Sequence, residues 1–131
     1  MQPYHQNIEE QTLANNNFRQ VIFTGPKSQL VLMSLKPGEE IGEETHNNVD
    51  QFFRIEAGNG KAVIAGQNYE LVDGVAVIVP AGTEHNFINT GSVNLKLYTI
   101  YTPPNHIDGR VHATKAEAMA DTADEVFGGA V

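Results

Sequence analysis

The sequence contains no cysteine. This absence excludes disulfide bonds, a thiolate nucleophile and any zinc site built on cysteine ligands. A metal site in this chain would therefore rest on nitrogen and oxygen donors.

Basic side chains and long apolar runs are also scarce. Eight Lys and Arg against 16 Asp and Glu give a formal net charge of −8. Nucleic acids and anionic membranes need a basic footprint, so neither is expected as a partner. No apolar run approaches the ~20 residues that span a bilayer, and the first residues lack the regions of a signal peptide. We therefore expect a soluble cytoplasmic protein.

The chain of 131 residues has the length of one domain with a single hydrophobic core. From Phe18 onward, about eight short β-rich runs are separated by Gly, Pro and Asn turn signals. Turns are indicated at residues 58–60 and 73–74, and both are predicted to be tight hairpins. The pattern predicts an all-β sandwich or barrel of antiparallel strands, with its core at about residues 18–103.

The two flanks differ from this core. Residues 1–17 are polar and predict an irregular arm, with a short helical turn capped by Asn7 as the alternative. Residues 104–131 predict an ordered loop followed by a helix, because Thr114 and Glu117 have the spacing of a capping box. The alanine-rich run after them predicts one helix or two short ones, ended by two consecutive glycines.

The most distinctive stretch is GVAVIVPAGTEHNFIN, residues 74–89. It predicts a strand, a Pro-Gly turn and a second strand. Five of its positions have the spacing of a known motif: Gly74, Pro80, Gly82, His85 and Asn89. This stretch resembles the second sequence motif of the cupins. The resemblance implies a double-stranded β-helix, or jelly-roll barrel, in which His85 is a metal ligand.

An upstream stretch, residues 37–60, resembles the first cupin motif. Gly38, His46, Gln51 and Gly58 fit that motif, but Asn48 stands where a second histidine is expected. Beyond the motifs, the chain is similar to small bacterial cupins described as mannose-6-phosphate-isomerase-like.

Strand alternation shows why these residues could meet. His46 and Asn48 share one face of their segment, and the inward faces of two strands would bring His46, His85 and Gln51 around one point in the barrel. Two imidazoles with an amide oxygen suit a divalent transition metal: Fe, Mn, Ni, Co or Zn. Asn48 would be a weak ligand, a group behind the ligands, or a sign that the site has been lost.

Three further residues are candidates for proton transfer. Glu44 shares the face of His46 and could be a fourth ligand or a general base, although the acidic run around it also fits a solvated loop. His106 and His112 lie before the C-terminal helix and could fold over the barrel mouth. Surface or helix-flanking positions are the alternative for both.

Three functions are compatible with this site. The first is a metal-dependent enzyme acting on a small polar carbonyl substrate, such as a sugar or sugar derivative, with the metal as a Lewis acid. The second is an Fe(II) dioxygenase, disfavoured by a ligand set that has an amide where a carboxylate is usual. The third is a barrel that binds a small molecule without turnover.

The resemblance also implies a homodimer, because small cupins commonly pair through sheet edges or exchanged N-terminal strands. The first strand, FRQVIFT, is the expected element of exchange.

Overall fold

The computed structural model describes residues 1–129, which form a barrel of two antiparallel sheets. The strands are β1 (Arg19–Thr24), β2 (Gln29–Leu35), β3 (Asp50–Ala57), β4 (Gly60–Ile64), β5 (Gln67–Leu71), β6 (Ala76–Val79), β7 (His85–Asn89), β8 (Leu95–Thr102) and β9 (Val111–His112). The larger sheet has the order β6-β3-β8-β2-β1-β9, and the smaller has the order β5-β4-β7. The predicted antiparallel barrel is confirmed.

The hydrophobic core lies between the two sheets. In β7, buried and half-buried residues alternate strictly, so that His85, Phe87 and Asn89 point inward. Phe87 stacks on Phe53 of β3, with ring centroids 3.8 Å apart and planes inclined by 19°. Such a pair contributes about 0.5–1.5 kcal/mol beyond the burial of its area. This contact joins the sheets directly below the end of the barrel where His85 lies.

The stretch at residues 74–89 passes from one sheet to the other. β6 pairs with β3 in the larger sheet, and β7 pairs with β4 in the smaller. Between them Gly82 has φ +83° and donates its N–H to the carbonyl oxygen of His46 at 2.8 Å. Asn89 is buried, and its Nδ2 donates to the carbonyl oxygens of Leu35 and Val93. The motif asparagine is therefore a structural residue that ties β7 to two neighbouring segments.

Two predicted hairpins are wrong. The turn at residues 58–60 joins β3 of the larger sheet to β4 of the smaller, and the turn at residues 73–74 joins β5 to β6 across the same gap. Strands in different sheets share no ladder, so these turns change sheets rather than reverse one strand on itself. The hairpin in this region is formed by β4 and β5, with Ala65 and Gly66 both at positive φ.

The N-terminal segment contains a helix, α1 (Ile8–Ala14), where an irregular arm was expected. The side chain of Asn7 accepts the N–H of Glu10, so the alternative prediction of an Asn7 cap is confirmed. The Nζ of Lys96 in β8 donates to the carbonyl oxygen of Asn15 and to the Oδ1 of Asn16. These bonds hold the end of α1 against the larger sheet.

The C-terminal segment forms two short helices, α2 (Lys115–Ala120) and α3 (Thr122–Gly129). The capping box of Thr114 and Glu117 is present at the start of α2. The last two residues of α3 are the glycines that were predicted to end the helix, and Gly129 is also the last described residue. None of the helices within residues 1–129 is long and apolar enough to span a membrane.

Within the described chain, the first strand has a neighbouring strand on each side. β1 pairs with β2 and with β9 of the same chain, and the edges of the larger sheet are β6 and β9. Homodimerisation, through a sheet edge or through exchange of the first strand, stays a prediction.

Gly58 and Gly74 illustrate two reasons for a glycine at a turn, a left-handed backbone and a lack of space for a Cβ. Gly74 has φ +91° with open space around a Cβ, so Gly74→Ala is expected to cost only the left-handed backbone, about 1–2 kcal/mol. Gly58 has φ +90°, and its Cβ would lie 2.7 Å from the carbonyl oxygen of Asn94. Gly58→Ala should therefore cost about 1–3 kcal/mol more, as overpacking does. Urea unfolding of both variants measures the difference, and equal losses would contradict this account.

Candidate metal centre

His85 is the first residue of β7, and its side chain points into the barrel with its Nε2 atom unpaired within the described residues. Its Nδ1 lies 2.9 Å from the carbonyl oxygen of Thr83, and a carbonyl only accepts, so Nδ1 carries the proton. The Nε2 atom is buried and has no hydrogen-bond partner among residues 1–129. Burial lowers the pKa of His85, which keeps the ring neutral near pH 7. A neutral imidazole fixed through Nδ1 is the form in which histidine binds metals.

Glu44 lies directly opposite His85. Each of the two residues donates its backbone N–H to the carbonyl oxygen of the other at 2.9 Å. Residues paired in this way project their side chains to the same face. The Glu44 carboxylate therefore reaches the side of the barrel that His85 occupies.

His46 completes a group of three donors. Its Nε2 is 2.8 Å from Oε2 of Glu44, and its ring centroid is 5.5 Å from that of His85. One ligand atom from each of the three residues lies within 4.8 Å of the others. That spacing is compatible with a single ion held by two nitrogens and one carboxylate oxygen.

Gln51 supplies a further oxygen inside the barrel. Its Nε2 donates to the Oγ1 of Thr99 at 3.0 Å, whereas its Oε1 is buried without a hydrogen-bond partner in the described chain. Buried acceptors are normally satisfied, and here two of them, on Gln51 and His85, are not. A divalent transition metal or its bound water would satisfy such atoms, so the residues present fit the metal that the sequence predicts.

The Glu44 carboxyl is ionised in this setting. Burial alone would raise its pKa, but the hydrogen bond to His46 and the positive charge of Arg19 lower it overall. The group of donors therefore includes a negatively charged carboxylate, at the residue that the sequence offered as a possible fourth ligand. Glu44 belongs to the site and does not belong to a fully solvated acidic loop, because it is half-buried and bound to His46.

Asn48 lies on the exposed surface beside the mouth of the cavity. Glu44, two positions before His46, lies opposite β7 and faces the interior. Asn48, two positions after His46, does not. A ligand role for Asn48 stays a prediction, and the geometry favours Glu44 as the third donor.

A buried series of ring contacts and hydrogen bonds runs from the candidate metal centre to α3. The ring of Tyr101 in β8 meets the ring of His46 edge-on, with centroids 6.0 Å apart. The Tyr101 hydroxyl is 3.1 Å from Nε2 of His106, and Nδ1 of His106 is 2.7 Å from Oδ2 of Asp124. Because a carboxylate only accepts, Nδ1 is protonated and Nε2 accepts from the Tyr101 hydroxyl. The prediction that His106 approaches the barrel mouth agrees with this position.

His112 occupies a different place. Its Nε2 is 2.9 Å from Oδ2 of Asp121, and Arg110 donates to both carboxylate oxygens of Asp121 at 2.7 and 3.1 Å. His112, Asp121 and Asp124 also have ligand atoms within 4.8 Å of one another, but the guanidinium of Arg110 already neutralises that carboxylate. Within the described chain, the cavity wall includes His106 and does not include His112. The structure thus gives His112 a role in holding α3 to β9.

The centre opens into a cavity of about 660 Å³, large enough for a small molecule. Glu44, His46 and His106 line it together with Arg19 and Asp124. Neither Arg19 nor Asp124 was expected from the sequence. Arg19 could have been found because it is two residues before the buried Val21 and shares its face of the strand. Nothing near Asp124 in the sequence indicates its contact with His106.

Comparison with known proteins agrees with this architecture. Residues 31–101 match the cupin domain family. The chain is 51% identical over 124 residues to the uncharacterized protein YrkC of Bacillus subtilis (strain 168), which covers 90% of this chain and 67% of that protein. It is 46% identical to BH2720 of Bacillus halodurans, whose crystal structure superposes with a TM-score of 0.89 over 91% of this chain and 95% of that one.

A more distant similarity covers a shorter stretch of the chain. The chain is 32% identical over 76 residues to a mannose-1-phosphate guanylyltransferase of Salmonella montevideo, matching 58% of this chain and 16% of that protein. This match covers too little of the enzyme to assign its activity. The family match covers more than half of the chain, and the motif residues, the two-sheet barrel and the donor group all agree with it. The chain belongs to the cupin family.

Proposed function

We propose that this chain is a metal-dependent enzyme that acts on a small polar substrate carrying a carbonyl group, such as a sugar or sugar derivative. The observation that carries the proposal is the buried, unpartnered Nε2 of His85, which lies with donor atoms of Glu44 and His46 beside a cavity of about 660 Å³. A site with open positions next to a cavity is typical of catalysis, whereas structural metal sites are closed.

Glu44, His46 and His85 would hold the metal, and the Oε1 of Gln51 would bind it or its water. A bound divalent ion supplies stabilisation of negative charge on a carbonyl or enediolate oxygen. The ionised Glu44 would offset part of the charge of the ion, and the Thr83 carbonyl and the Glu44 backbone fix the orientation of His85.

Proton transfer is assigned to His106 and Tyr101. Burial raises the pKa of Tyr101 and, against the opposing effect of Asp124, lowers the pKa of His106. At neutral pH the phenol is therefore protonated and the imidazole is neutral, so that one can donate and the other can accept a proton. Asp124 holds His106 in a single tautomer, as a carboxylate does for many catalytic histidines.

A second candidate is an Fe(II) dioxygenase, and one observation favours it. The position of Glu44 gives the centre two histidines and one carboxylate, which is the ligand set typical of non-haem iron oxygenases. The dioxygenase was disfavoured because the amide of Gln51 stood where a carboxylate is usual, and Glu44 supplies that carboxylate.

Metal binding is the first test. Protein purified without added metal is expected to carry about one transition-metal ion per chain by elemental analysis, as a single centre requires. The His46→Ala/His85→Ala double variant should lose the ion, whereas His5→Ala, which removes an exposed histidine, should keep it. Saturating metal should raise the melting temperature of the metal-free wild type and leave that of the double variant unchanged.

The same titration separates Glu44 from Asn48. Glu44→Gln should weaken metal affinity at least about tenfold, since even residues behind the ligands contribute that much. Asn48→Ala should leave affinity within a factor of about two, because its side chain is exposed. If wild-type protein binds no metal and gains no stability from it, both enzyme proposals are refuted. The remaining function is then a barrel that binds a small molecule without turnover.

The reaction class can be tested with solvent exchange and oxygen uptake. Metal-loaded protein in D2O is expected to exchange the C–H next to the carbonyl of aldoses, ketoses or their phosphates, measured by proton NMR, without oxygen consumption. Oxygen uptake by the Fe(II) form with diketones or catechols, in the absence of exchange, would instead identify the dioxygenase.

Tyr101→Phe and His106→Gln test the assignment of proton transfer. Each should lower the exchange rate by about 10²–10⁴-fold, the usual contribution of acid–base catalysis, at unchanged metal content. Tyr98→Phe is the matched control, because Tyr98 faces the opposite side of β8 and is half-buried. Equal exchange rates in wild type and Tyr101→Phe would remove Tyr101 from the mechanism.

A further inference from the structure

Arg19 is a charged residue at an inward position of the barrel. It begins β1 opposite Met33 of β2, and Met33 is fully buried. Directly opposed residues of antiparallel strands share a face, so the Arg19 side chain points to the interior. Only 7% of Arg19 is exposed. Arginine is almost never buried in this way unless a partner compensates its charge.

No directly bonded partner is found within the described chain, because the carboxylates of Glu44 and Asp124 act on Arg19 only through space. Within residues 1–129 the Arg19 side chain forms no hydrogen bond and no ion pair, and its Nε is buried and unsatisfied. The guanidinium lies over the ring of Phe18, 5.3 Å from the centroid, which fixes its place without neutralising it. A buried charge without hydrogen bonds is costly, and an external anion would remove that cost.

The acidic groups of the same cavity are already engaged. Glu44 contacts His46, and the two carboxylate oxygens of Asp124 accept from His106 and from the backbone N–H of Ile107. The positive charge of Arg19 acts on Glu44, His106 and Asp124 through space, without a direct bond to any of them. Its donors therefore remain available to a molecule in the cavity.

We infer that Arg19 binds the oxyanion, a carboxylate or a phosphate, of the small molecule that enters this cavity. The planar guanidinium matches both oxyanions with two parallel hydrogen bonds. Combined with the proposed function, on which this second step rests, the substrate is an anionic carbonyl compound rather than a neutral sugar. The anion binds at Arg19, and the carbonyl group is presented to the metal centre.

The test uses two anions, inorganic phosphate and malonate, with metal-free wild-type protein. Isothermal titration is expected to show one saturable site per chain for at least one of them. Arg19→Met keeps the length of the side chain without its charge, and it should weaken that binding at least about tenfold, the usual loss for a charge-assisted hydrogen-bonded pair. The better of the two probes identifies the class of oxyanion.

One control variant accompanies this titration. Lys27→Gln removes one positive charge from an exposed turn and should bind as wild type does. Because this titration uses metal-free protein, a failure of the metal proposal leaves the anion proposal standing, and the reverse also holds. Equal affinities of wild type and Arg19→Met, or no saturable binding of either probe, would overturn the inference.

A measurement on wild-type protein guards against an unfolded variant. The chain has three arginines, Arg19, Arg54 and Arg110, whose Nε–H signals are distinguishable by ¹⁵N NMR. Titration with the bound anion should move the Arg19 signal along the same binding curve that calorimetry gives. A saturable binding curve with an unmoved Arg19 signal would place the anion elsewhere and contradict the proposal.

Discussion

The candidate centre depends on one backbone contact, the reciprocal pair of hydrogen bonds between Glu44 and His85. Glu44 lies in a loop outside the named strands, and these two bonds extend the ladder of the smaller sheet to include it. Without them the carboxylate would belong to a solvated acidic loop. With them, it stands opposite an imidazole whose own orientation is fixed by Thr83. Two hydrogen bonds of ordinary length thus place the carboxylate of a loop residue beside the two histidines of the candidate centre.

The interior of the barrel holds more polar groups than its own contacts satisfy. Nε2 of His85, Oε1 of Gln51 and Nε of Arg19 are buried without hydrogen-bond partners within residues 1–129. Each such atom opposes folding by roughly 1–3 kcal/mol. The Phe53–Phe87 stack and the apolar side chains beneath it offset that cost. These polar groups therefore lower the stability of the barrel, as the polar groups of functional sites commonly do.

The sequence predicted what local geometry determines. Residues 74–89 could be assigned because a positive φ at Gly82, an inward His85 and a structural Asn89 each need a particular residue at a particular spacing. The sheet changes at residues 58–60 and 73–74 could not be assigned, because glycine-rich turns look alike whether or not the strands beside them pair. Pairing is a long-range property, and short-range turn signals do not carry it.

The same limit applies to the site. An acidic run gives no sign of which carboxylate a distant strand will select, so Glu44 could not be separated from its neighbours. The contact of His106 with Asp124 spans 18 residues and two elements. Through this contact α3, a short and mostly exposed helix, supplies a carboxylate that bonds a buried histidine of the cavity. Local unfolding of that helix would release the tautomer of His106 and open one wall of the cavity at once. One exposed helix therefore both forms part of the cavity wall and holds the tautomer of a buried histidine.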